Sequence, residues 1–114
     1  YLAGSWSHGC KDQWDAILDV IEKRAKAGTA KESHWGTALG GIHGQKDASP
    51  AQKQRALAIA RTLLENEKNS GIARGNALDF IGKKDPGAKA YAGRFLVDDE
   101  FFVKNAAKRI LGVK

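Results

Sequence analysis

Ser49-Pro50-Ala51-Gln52 opens the stretch SPAQKQRALAIARTLLE, residues 49–65, and its pattern governs how the rest of this 114-residue chain is read. Ser stands where an N-cap belongs, and Pro fills the first helical position, where a missing N–H costs nothing. Gln follows at the spacing that lets its side chain reach back to the cap. Ala56, Leu57, Ile59, Ala60, Leu63 and Leu64 then form a wide apolar face at helical spacing, suited to the middle of a bundle.

Outward from this helix the punctuation repeats. Residues 12–26 place Trp14, Ile17, Leu18, Ile21 and Ala25 on one stripe, and Gly28 stands where a left-handed C-cap residue is expected. Thr29 and Glu32 have capping-box spacing, which predicts a short helix over 30–39 with Trp35 and Leu39 on one side. That helix is expected to stop at Gly40-Gly41, leaving 40–48 as a glycine-rich loop. Asn69-Ser70-Gly71 breaks the chain again. Residues 72–81 read as a weaker helix, because Gly75 and Asn76 sit inside it, and Gly82 ends it. Asp85-Pro86 is expected to start another helix running through Tyr91 and Phe95. Asp98 is expected to cap the last helix, with Asp99 and Glu100 in its first turn. Its inner face reads as Phe102, Val103, Ala106, Ala107, Ile110 and Leu111. No segment alternates with period two between hairpin turns. The expectation is an all-α fold: a compact single-domain bundle of five or six short helices over residues 1–114, with 1–10 irregular.

Composition agrees with one folded unit. Hydrophobic residues at 42% and charged residues at 28% are ordinary globular values and argue against disorder. One cysteine, Cys10, excludes an internal disulfide framework. No apolar run approaches the roughly 20 residues of a membrane span, and no signal-peptide pattern is visible. The chain has no methionine, so it is expected to be a processed product or a domain of a longer protein. Lys and Arg number 19 against 13 Asp and Glu, giving +6 and a pI near 9.6.

Few residues invite catalysis or metal chemistry. His8, Cys10, His34 and His43 are the soft ligands, but H-x-C is not a usual zinc knuckle and His34 and His43 are nine residues apart. No metal or cofactor is expected. Cys10 at the start of the first helix has the placement of an activated thiolate, with a small core residue as the plainer reading. Glu32-Ser33-His34-Trp35 resembles the acid-bearing Glu-Ser pair of lytic transglycosylases and goose-type lysozymes. The match covers four residues, without the apolar helix before them or the glycine- and glutamine-bearing motif after, so Glu32 is better explained by its capping box. Arg74 and Asn76, just past the turn at Gly71, form a helix-turn-helix candidate able to present side chains to base edges, with a plain αα-hairpin as the alternative. Trp6 has no packing register and is read as covering one end of the bundle.

The basic surplus is the stronger feature. Lys83, Lys84, Lys89 and Arg94 cluster along the chain, followed by Lys108 and Arg109, which join them if the last helix packs beside the Lys83-Lys84 turn. A positive field concentrates polyanions, and each phosphate contact adds salt-dependent affinity. The leading expectation is therefore a small basic helical binding module for a negatively charged partner: DNA or RNA first, an acidic protein second. The alternative is a non-catalytic protein-protein interaction domain (an effector, immunity or assembly module), whose sign would be exposed apolar surface. A small toxin-like enzyme would need Cys10, Glu32, His34 and His43 to converge in a pocket.

Overall fold

Local signals along the chain build six α-helices among the described residues. A computed structural model describes residues 11–31, 34–46, 48–85 and 87–112, with side chains from Trp14 onward. The helices are α1 (Lys11–Ala27), α2 (His34–His43), α3 (Pro50–Glu65), α4 (Gly71–Lys84), α5 (Ala88–Ala92) and α6 (Phe101–Leu111), with a 3-10 turn at Gly93–Phe95 between the last two. The fold is an all-α bundle, with no strand among the described residues. Trp6, His8, Cys10 and Glu32 lie outside the described residues, as do the readings placed on them, including the Glu32 half of the capping box.

The caps form where short-range chemistry places them. The Ser49 hydroxyl accepts the Gln52 N–H at 3.1 Å, and the Gln52 side-chain oxygen accepts the Ser49 N–H at 3.0 Å. This box satisfies two donors that a helix start otherwise leaves open. Gly28 closes α1 at φ 74°, with the Gly28 N–H donating to the Ala25 carbonyl and the Thr29 N–H to the Arg24 carbonyl. Those are the two bonds of a Schellman ending, which needs a left-handed residue there.

α4 is the centre of the bundle, although its sequence predicts a weak helix. Among the described residues it packs against every other α-helix except α1. Its glycines explain both facts. A Cβ on Gly75 would lie 2.9 Å from the backbone oxygen and Cβ of Phe102 on α6, and Gly82 lies against Ile110. On the other flank the donor of space is α2: a Cβ on Gly36 would meet Asn76 at 2.9 Å, and Gly40 faces Phe80. These pairs ascend together, so α2 and α6 both run in the same direction as α4. Intrinsic helix preference, at about 1 kcal/mol per glycine, yields to the packing that close approach allows.

The same contacts correct several expectations. α2 does not span 30–39. It starts at His34 and continues through Gly40-Gly41 to His43, because these glycines lie along the α4 flank while Leu39 and Ile42 are buried. Ala30 lies outside the helix instead, its N–H donating to the Asn69 side-chain oxygen and its carbonyl accepting from the Ser70 N–H. Asn69 is 3% exposed and also donates to the carbonyls of Ala25 and Leu63, so one amide joins the ends of α1 and α3 to this segment. The helix expected through Phe95 is only Ala88–Ala92 followed by the 3-10 turn. Asp98 does not cap α6. Glu100 takes the cap position without a side-chain bond, and Asp98 is engaged elsewhere. Phe102 is 47% exposed, not part of the inner face, because the Gly75 contact seats its backbone on α4 and leaves small residues (Val103, Ala106, Ala107) to fill the interface. Ile110 and Leu111 are half-buried.

Replacing Gly75 by Ala is expected to destabilise the fold by about 1–3 kcal/mol, since the new methyl meets backbone atoms that cannot rotate away. Gly93→Ala is the control: at φ −55° with no neighbour within 4 Å, it should be neutral or stabilise by about 0.5 kcal/mol. Urea unfolding of both variants checks the pair, and equal effects would contradict the close-approach account.

Candidate functional site

Arginines and lysines divide the work in this structure. Arg55 pairs with Asp19 and Glu22, Arg61 with Asp85, Arg74 with Asp98 and Arg109 with Asp79. Arg74 is 2% exposed. Its Nε donates to the Leu64 carbonyl at 2.7 Å and its two terminal nitrogens to the Asp98 carboxylate at 3.3 and 2.7 Å. The planar fork thus ties α3, α4 and the turn before α6 together. This overturns the helix-turn-helix reading, because the guanidinium meant for a base edge is buried and spent. Asn76 is likewise engaged, donating to the Ile72 carbonyl at 3.2 Å beneath Gly36.

The lysines at the far end of α4 are arranged differently. Lys83 and Lys84, both exposed, line an open groove of about 410 Å³ between α4 and α2, with Thr37 and Gly41 across from them and Phe80 beneath. Among the described residues Asp79 is the one carboxylate lining this groove, and it accepts a hydrogen bond from the Arg109 guanidinium at 2.7 Å. His43 stands at the end of α2 with its ring edge-on to Phe80 at 5.5 Å. Burial, then the charges of Lys84 and Lys53, push its pKa below the ordinary histidine value. The groove therefore carries the positive charge of Lys83 and Lys84 on α4, with Lys53 of α3 near His43 at its end, and its one lining carboxylate among the described residues is already paired.

The six basic residues singled out in the sequence do not form one patch. Lys83 and Lys84 are in the groove. Lys108 and Arg109 immediately precede Ile110, whose side chain lies on Gly82, so the end of α6 does pack beside the end of α4. Lys89 is exposed on α5. Arg94 lies elsewhere, over the rings of Tyr91 and Phe95 at 5.3 and 5.6 Å, in a cleft shared with five carboxylates. Lys53 and His43 also lie near the groove, although nothing in the sequence joins them to Lys83 and Lys84. Only an α2 that reaches His43 makes them neighbours.

Among the described residues no cluster of three His, Cys, Asp or Glu is placed to hold a metal ion. His34 and His43 stand at opposite ends of α2, about 14 Å apart along its axis, too far to share one ion or one reacting group. No described helix is long and apolar enough to cross a membrane.

Two of these ion pairs make the fold acid-sensitive. Burial alone would raise the Asp98 pKa, but the Arg74 hydrogen bond, the Glu100 N–H and the charges of Arg74 and Lys104 outweigh it and hold it low. Asp85 is held low by the Gly87 N–H and by Arg61, against a smaller opposing effect of burial. A carboxyl depressed in the folded state stabilises fully above its unfolded pKa, near 4, and that contribution fades as pH falls through the folded value. Stability should therefore hold to about pH 5 and drop below about pH 4. Asp98→Asn should lower neutral-pH stability by roughly 3 kcal/mol, since it leaves Arg74 buried and unpaired, and should flatten the acid slope. Urea midpoints measured across pH decide this, and an unchanged slope in the variant would contradict it.

Comparison with protein-family models, with curated proteins and with solved structures finds no match to this chain.

Proposed function

We propose that this chain is a small basic helical module that binds a polyanion, nucleic acid first, through the lysine end of α4. The observation that carries the reading is the α2–α4 groove. Its lysines have no carboxylate partner among the described residues, whereas most of the arginines are held in ion pairs within the fold. Lysine is a compact, strongly hydrated point charge that suits phosphate contacts without base selectivity. Thr37 adds a hydroxyl able to donate to a phosphate oxygen, and the absence of side chains at Gly40 and Gly41 leaves the groove open to an approaching backbone. Lys108 extends the positive rim beside the Arg109–Asp79 pair, with Lys89 on the neighbouring α5. Arg94 faces a cleft of opposite sign and lies outside this surface.

A competing role for Lys83 and Lys84 is to complement the negative end of the α4 dipole. The two roles differ in salt dependence. Each phosphate contact releases counterions, so three contacts would weaken binding roughly 40-fold between about 50 and 200 mM salt. Fluorescence anisotropy with a labelled DNA duplex and a labelled RNA strand should show that loss, and Lys83→Glu with Lys84→Glu should abolish most of the low-salt affinity. No low-salt binding, salt-indifferent binding, or full affinity in the double variant would each refute the proposal.

A further inference from the structure

At the opposite end of α4 the surface changes sign. Glu65 and Glu67 from the end of α3 face Asp98, Asp99 and Glu100 across an open cleft of about 550 Å³, with Arg74 and Arg94 the only cations lining it among the described residues. Five carboxylates against two guanidiniums leave a net of three negative charges on a chain whose total is +6. Arg74 is spent on Asp98, and Glu67, Asp99 and Glu100 form no ion pair among the described residues. The same turn carries bulky apolar groups in the open. Val97 is 85% exposed and Phe101 67%, one on each side of the three carboxylates, with Phe102 packed edge-to-face on Phe101 at 5.6 Å. Single exposed apolar residues are ordinary. Here three of them border one acidic turn, and the fold does not need Phe101 or Val97, since α6 is anchored by Val103, Ala106 and Ala107.

We infer that this cleft docks a cationic segment of a partner protein. An apolar side chain of that segment seats between Val97 and Phe101, and flanking Lys or Arg side chains reach Glu67, Asp99 and Glu100, with the Phe101 face open to a cation–π contact. Charge complementarity selects this occupant. A polyanion is repelled by the carboxylates. A second copy of the chain would have to offer its lysine groove, and none of the exposed bulky apolar residues lines that groove. The inference is independent of the polyanion reading, because it uses the other end of the molecule.

Calorimetric titration of the full chain with a synthetic lysine–leucine peptide tests it, beside a matched glutamate–leucine peptide. Only the cationic peptide should bind, despite the chain's overall positive charge. Glu67→Gln with Asp99→Asn should weaken it about tenfold, and Phe101→Ser by a similar factor, with thermal melts verifying that both variants are folded. Lys83→Glu with Lys84→Glu should leave this affinity no weaker. Equal binding of the acidic peptide, no binding of the cationic one, or undiminished affinity in the carboxylate variant would overturn the inference. So would self-association in sedimentation that Phe101→Ser abolishes, since that would make the occupant a second copy.

Discussion

The fold depends on one central helix being approached closely from two sides. α4 spends its glycines, and uses those of α2, to let Asn76 and Phe80 lie against one neighbour while Phe102 and Ile110 seat on the other. Each close contact replaces a side chain with backbone, so a short helix with little intrinsic preference becomes the axis of the bundle. Buried polar bonds then fix its ends. The Arg74–Asp98 pair locks the start of α4 to the turn before α6, and Asn69 locks the preceding loop to α1. An amide or guanidinium satisfied from several elements at once specifies one arrangement of those elements, since any other leaves a donor stranded in apolar surroundings.

Charge follows from the same architecture. α4 has carboxylates around its N-terminal end and lysines at its C-terminal end, the polarity its dipole favours. The arginines are mostly internal fasteners, while the lysines remain available to solvent. A net charge of +6 therefore describes neither end of the molecule. One end offers a positive groove and the other an acidic cleft bordered by exposed phenylalanine.

Much of this was legible wherever the signal was local. The Ser49–Gln52 box, the Gly28 ending and the apolar faces of α1 and α3 are set by residues within a few positions of one another, and the structure places them as the pattern does. What the pattern misreads is tertiary. Gly40-Gly41 looks like a loop until α4 is known to lie beside it. Gly75 looks like a defect until Phe102 is there to use the space. Asp98 looks like a cap until Arg74, distant in sequence, claims its carboxylate. The candidate site divides the same way: Lys83 and Lys84 stand out as a pair, whereas His43 and Lys53 join them only through the packing of three helices, and Arg94 leaves them for the same reason.

The central claim, that the lysine groove receives the polyanion, has an internal reporter in His43. Burial first, and then the neighbouring Lys84 and Lys53, keep its pKa low. A bound polyanion would offset their field, so the protonated imidazole becomes easier to form. Proton NMR titration of His43 in the presence of a short oligonucleotide at low salt should show its pKa moving upward, and the shift should vanish in the Lys83→Glu, Lys84→Glu variant. A complex that forms while the His43 titration stays in place would put the binding surface elsewhere and contradict the account.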